Sequence, residues 1–173
     1  MRRVVAGVTI IELISVLAVV GVMFSLALPN FSAMISRNRT TTQANDFTVA
    51  LLLARSEALK TGNTVSVQAI DGSDAANEFG NGWCVVVADP GDCDAPVIRN
   101  FPTLPNNTTL INSVENNTAI VFNSYGELDE GLVQNIDMCP TGDSNRRIYV
   151  ALIGRSKVHR PTDLAVSKRP DCT

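Results

Sequence analysis

Hydrophobic positions along this chain follow three rhythms. From Val8 to Leu28 they are nearly continuous, broken only by Thr9, Glu12, Ser15, Gly21 and Ser25. At about 1.5 Å of rise per residue, a helix of that length crosses a hydrocarbon core of roughly 30 Å, so residues 8–28 are predicted to span a membrane. The run is longer than the core of a cleaved signal peptide, no small-x-small site follows it, and Leu28-Pro29-Asn30 ends it. From Phe31 to Thr61 the rhythm becomes helical. Phe47, Leu51, Ala54 and Ala58 recur at i, i+4, i+7 and i+11, with Leu52 and Leu59 widening the stripe. Gly62 and Asn63 stop it, because glycine suits the residue just past a helix end.

After Gly62 the period shortens. Thr64–Ile70 alternates, and so, in part, does Ile148–Ile153. Trp83–Ala88, Val97–Phe101, Thr108–Ile111, Ala119–Phe122 and Leu132–Met138 are further short strand candidates. Turn clusters separate them: Asp71-Gly72-Ser73, Asp89-Pro90-Gly91, Pro105-Asn106-Asn107 and Tyr125-Gly126. Many short strands with frequent turns predict antiparallel sheet, and a long helix followed by sheet is an α+β fold. The expected organisation is a leader at 1–7, a transmembrane helix at 8–28, a continuing helix at 29–62, and a β-rich domain at 63–173 ending in a basic tail.

Charge sharpens this division. Between Thr61 and Asn145, Arg99 is the only base against twelve acids. From Arg146 onward seven bases face two acids, which predicts a basic tail suited to an anionic partner. The four cysteines, Cys84, Cys93, Cys139 and Cys172, all follow the apolar run. None forms a C-x-x-C and there is one histidine, so zinc is poorly supplied and disulfides in an oxidising compartment fit better. Cys84 and Cys93 flank the Pro90-Gly91 turn, which favours a Cys84–Cys93 bridge and leaves Cys139–Cys172 to close the C-terminal segment; four cysteines allow three pairings.

Glu12 is the informative residue of the apolar run. A carboxylate within a membrane span costs on the order of 3 kcal/mol, so it calls for a partner. Its setting, Met1-Arg-Arg-Val-Val-Ala-Gly7 followed by Val8-Thr-Ile-Ile-Glu12-Leu, resembles the prepilin processing motif. That resemblance implies cleavage between Gly7 and Val8 by a prepilin peptidase, with N-methylation of the new terminus at Val8. Valine stands where the family usually has phenylalanine, and Gly21 and Pro29 fall where pilins carry a helix-loosening glycine and proline. Glu12 of one subunit would then pair with the Val8 amine of a neighbour, so that two charges costly in lipid neutralise each other. Arg2 and Arg3 place the leader in the cytoplasm and the cysteines in the periplasm; Arg37 and Arg39, beyond the span, oppose this mildly.

The full layout resembles the FimT/GspH family of type IV minor pilins and type II secretion pseudopilins. The matching stretches include Leu28-Pro29-Asn30-Phe31, Arg37-Asn38-Arg39, Gln43-Ala44-Asn45, Leu53-Ala54-Arg55-Ser56-Glu57-Ala58, Gly82-Trp83 and Phe122-x-x-x-Gly126. The family implies a long helix packed on a small β-sandwich-like globule, subunits that stack by their N-terminal helices, and other pilins or pseudopilins as partners in the bacterial inner membrane. FimT-type members carry a Gly-Arg-x-Arg element associated with DNA binding. Here Gly154-Arg155-Ser156-Lys157 matches it with lysine in the last place, which keeps the charge and loses the bidentate fork. Arg146, Arg147, His159, Arg160, Lys168 and Arg169 would extend the basic stripe. The expectation is therefore a minor pilin or pseudopilin with DNA binding through Arg155, Lys157, Arg160, Arg146 and Arg147; the alternative is a purely structural pseudopilin at the tip of a secretion pseudopilus.

Enzymatic readings find little support. No serine or cysteine sits in a nucleophile elbow, and no Walker loop is present. Asp89, Asp92 and Asp94 cluster without the ligand spacing of an EF-hand. No metal or cofactor is expected.

Overall fold

The computed structural model describes residues 7–73, 77–87, 93–94, 96–105, 108–114, 117–129, 131–140, 144–164 and 172, with the side chains of 26–30 and 33 outside that set. Several sequence features therefore lie outside the described residues: the leader arginines Arg2 and Arg3, Asp89 to Asp92 of the acidic cluster, the Asn106-Asn107 turn, and Lys168 and Arg169 of the tail.

One helix, α1, runs from Ile10 to Thr61. Among the described residues eight strands follow: β1 Val65–Ala69, β2 Trp83–Val86, β3 Val97–Phe101, β4 Thr109–Asn112, β5 Ala119–Phe122, β6 Gln134–Cys139, β7 Arg146–Val150 and β8 Ser156–His159, with a 3-10 turn at Pro161–Asp163. The contacts separate residues 1–38 from a second compact unit, Arg39–Thr173.

In the first unit α1 begins on a cap. Thr9 accepts the Glu12 backbone N–H on Oγ1 at 3.3 Å, and its carbonyl takes the Leu13 N–H at 3.2 Å. This satisfies donors that the first helical turn otherwise leaves bare. Ser15 and Ser25, two of the polar breaks in the apolar run, donate their hydroxyls to the carbonyls of Glu12 and Val22 at 2.8 and 2.7 Å. Neither hydroxyl needs an outside partner, which is the way a helix carries serine into apolar surroundings. Among the described residues, no helix is long and apolar enough to cross a membrane. The described side chains of the predicted span end at Ser25, short of its end at Leu28.

The second unit is built from two antiparallel four-stranded sheets, ordered β3-β2-β1-β5 and β4-β6-β7-β8. Alternation sets their inward faces. In the first sheet Val67 opposes Val85 and Ile120, and Trp83 opposes Phe101. In the second, Leu110 opposes Met138, and Ile148 lies between Ile136 and Val158. These residues share one core with Ala44, Phe47, Ala50, Leu51, Ala54 and Ala58 of α1. Phe47 is its centre, meeting Phe79 and Trp83 edge-on at 5.3 and 5.1 Å between ring centroids.

Local differences from the sequence expectation have geometric causes. Leu52 and Leu59 do not widen the buried stripe; they are 52% and 53% exposed. Each follows a core residue by one position, which turns it about 100° round the helix and off the buried arc. The strand expected at Ile148–Ile153 starts earlier, at Arg146, and ends at Val150. Beyond Val150 the chain forms a hairpin: the Ala151 N–H bonds the Arg155 carbonyl and the Gly154 N–H bonds the Ala151 carbonyl, at 2.9 and 2.8 Å. It then returns as β8, so the Ser156–His159 part of the expected basic tail is an edge strand. Cys84 is bonded to Cys93 and Cys139 to Cys172, with Cα separations of 5.9 and 5.6 Å.

Candidate functional site

Two regions hold the residues singled out from the sequence. The first is the start of α1. Gly7, Val8 and Glu12 are all exposed, Val8 to 74%. Every large apolar side chain from Val8 to Phe24 is exposed as well, between 38% and 80%. Fully covering side chains of this kind is worth about 1.5–3 kcal/mol each, so a dozen of them on one helix form a large apolar surface that this chain leaves uncovered.

The second region is the β7–β8 hairpin. Gly154 has φ +73° and is buried against the Gly126 carbonyl and the Arg55 side chain, leaving no room for a Cβ. Arg55 completes the junction by donating Nε–H to the Gly126 carbonyl at 2.9 Å. Three stretches far apart in sequence thus meet at one point, and the glycine of Gly154-Arg155-Ser156-Lys157 sets where Arg155 leaves the turn.

The five candidate basic residues separate into two groups. Arg155, Lys157 and Arg160 are exposed along β8 and its flanking residues. Arg147 is directed at Asp137, its cross-strand partner, with Nε and Nη2 donating to the two carboxylate oxygens at 2.6 and 2.5 Å. The side chains of this pair are 16% and 6% exposed. Arg146 turns back onto the carbonyls of Ser144 and Asn145 at 3.0 and 2.9 Å. Lys157 also lies on the outer strand of its sheet, where a lysine discourages edge-to-edge pairing.

The outer face of that sheet carries a feature that sequence reasoning missed. Tyr149 stands between Asn135 and Lys157 in register, and Arg147 between Asp137 and His159. Asn135, Arg147, Tyr149, His159 and Leu164 line a half-open cleft of about 460 Å³. The available signal was the alternation itself, since Tyr149 sits between Ile148 and Val150 and must point away from them. Among the described residues, no group of histidine, cysteine or carboxylate side chains is arranged to hold a metal ion.

With the geometry established, comparison places the chain among known proteins. The family described as type II transport protein GspH matches residues 43–154. No curated protein sequence matches. Among solved structures, the fold resembles the type IV minor pilin FimU of Pseudomonas aeruginosa PAO1, with a TM-score of 0.63 and 23% identity, covering 80% of this chain and 98% of that one. A second crystal form of FimU gives 0.60, also at 23% identity, covering 76% and 98%. The minor pseudopilin EpsH from the type 2 secretion system of Vibrio cholerae gives 0.52 at 18% identity, covering 71% and 98%. Identities at this level speak to the fold, and the family match, which spans more than half of the chain, speaks to descent: the chain belongs to the GspH family.

Proposed function

We propose that this protein is a minor structural subunit of a type IV pilus or a type II secretion pseudopilus, drawn from the inner membrane into the filament by its N-terminal helix. The observation that carries this is the exposed apolar surface from Val8 to Phe24. Such a surface finds lipid before assembly and the helices of other pilins or pseudopilins after it. In this reading a prepilin peptidase cuts between Gly7 and Val8, and the new amine at Val8 meets Glu12 of a neighbouring subunit. Neutralising a buried carboxylate in this way favours one axial register between subunits. Glu12→Ala should leave the protein in the inner membrane and abolish its recovery in the sheared filament fraction. Recovery at the wild-type level would overturn the role of Glu12.

A second reading is DNA binding, favoured by the exposure of Arg155, Lys157 and Arg160 along one sheet edge. Phosphate contacts dominate non-specific affinity and make it salt-dependent. A duplex titration with the full chain in detergent tests it. Arg155→Ala with Lys157→Ala should weaken binding and lower the salt slope by about one for each phosphate no longer neutralised. Unchanged affinity would remove these residues from the reading. No binding by the wild type at low salt would leave the purely structural subunit as the function.

A further inference from the structure

The cleft on the outer face of the β4-β6-β7-β8 sheet has a composition that the basic edge alone does not explain. Among the described residues its lining combines an aromatic ring, an imidazole, an amide, a guanidinium and the apolar side chain of Leu164. Arg147 is neutralised within the sheet by Asp137, so the floor of the cleft is not itself a phosphate site. Exposed cations lie on its sheet edge: Lys157 is directly across from Tyr149, Arg155 lies two residues before Lys157 in the alternation, and Arg160 follows at the end of β8. A neutral, planar, hydrogen-bonding centre with a cationic rim is the arrangement by which proteins hold single strands: phosphates track the charge while a base stacks on an aromatic ring. The cleft volume, about 460 Å³, falls within the range of small-ligand pockets.

We propose that this cleft receives one unstacked nucleobase, stacked on Tyr149 and hydrogen-bonded by Asn135 and His159, so that the chain engages single-stranded nucleic acid in preference to duplex. The proposal rests on the DNA-binding reading of the Arg155–Arg160 edge and deepens it. A duplex keeps its bases stacked inside, so it reaches the rim and leaves the cleft empty. Tyr149 is partly exposed while its neighbours Ile148 and Val150 fill the core, so changing its side chain leaves the inner packing in place.

The test uses the full chain in detergent micelles and fluorescence anisotropy at low salt with three labelled probes: a short single strand, its duplex, and an abasic strand of the same length. The wild type should bind the single strand about tenfold more tightly than the abasic strand. Tyr149→Ala should remove that advantage and leave duplex affinity unchanged, and Tyr149→Phe should keep it. Equal affinity of the wild type for all three probes overturns the cleft and leaves the basic edge standing as a charge-only site. So does an equal loss on every probe in Tyr149→Ala. Failure of all three probes to bind overturns the DNA reading itself, and the cleft proposal with it.

Discussion

Arg55 reaches from the last turns of α1 to the carbonyl of Gly126, 2.9 Å from its Nε, and in doing so closes over Gly154. Helix, β5–β6 connection and β7–β8 hairpin are fastened together there. Gly154→Ala brings a methyl group against the Gly126 carbonyl and forces a left-handed conformation on an L side chain. The expected loss is about 2–4 kcal/mol. Arg55→Ala removes one hydrogen bond and its packing, an expected loss of about 1–2 kcal/mol. Urea unfolding followed by the fluorescence of Trp83, the only tryptophan and a buried one, measures both. A Gly154→Ala protein as stable as the wild type would contradict this account of the junction.

The Asp137–Arg147 pair is bidentate and mostly covered. Removing either partner leaves the other charge poorly solvated, so Asp137→Ala and Arg147→Ala should each cost about 1.5–3 kcal/mol. The double variant should lose clearly less than the sum, because the second truncation also removes the stranded charge. Additive losses in the same unfolding assay would mean that the pair is not coupled.

Glu78 is 1% exposed and accepts the Asn112 N–H on Oε2 at 3.1 Å. It ties the segment before β2 to the end of β4, across the two sheets. Glu78→Ala removes the acceptor from a buried backbone donor, an expected loss of about 1–3 kcal/mol. Amide hydrogen exchange at Asn112 gives a local check: its protection should fall in the variant, and unaltered protection would show that the carboxylate is dispensable.

Asp71 carries a testable pH signature. The Ser73 side chain and backbone N–H hydrogen-bond its carboxylate and hold its pKa below the ordinary 3.8. The folded state therefore prefers the ionised form. The small stabilisation this brings is present above the ordinary aspartate value and disappears as pH falls through the depressed one. An NMR titration should place the Asp71 midpoint below 3.8, and Ser73→Ala should move it up towards that value. A midpoint that ignores Ser73→Ala would show that the side-chain bond is not formed in solution.

How much of this is readable from residues alone depends on the range of the signal. The helix arc of Phe47, Leu51, Ala54 and Ala58 is legible because a period of 3.6 is local, and so are most strands, whose alternation needs only a few residues. β8 is not legible. Four residues, Ser156–His159, contain one apolar side chain, and their charge suggests a tail rather than a strand. The glycine four residues past Val150 is the available hairpin signal, but the basic motif that it opens masks it.

The sequence by itself determined the long helix, the antiparallel sheets after it, the family resemblance, and which residues are basic, because each of these is written in neighbouring positions. Tertiary structure alone decided which bases remain available. Arg146 and Arg147 are committed to acceptors on nearby strands and loops, while Arg155, Lys157 and Arg160 face outward. It also decided that Arg55, Gly126 and Gly154 share one junction, and that Tyr149, Asn135 and His159 share one cleft. Those groupings come from strand register and from segments brought together across long separations. A pairing of that kind leaves no periodic trace in the residues between its members.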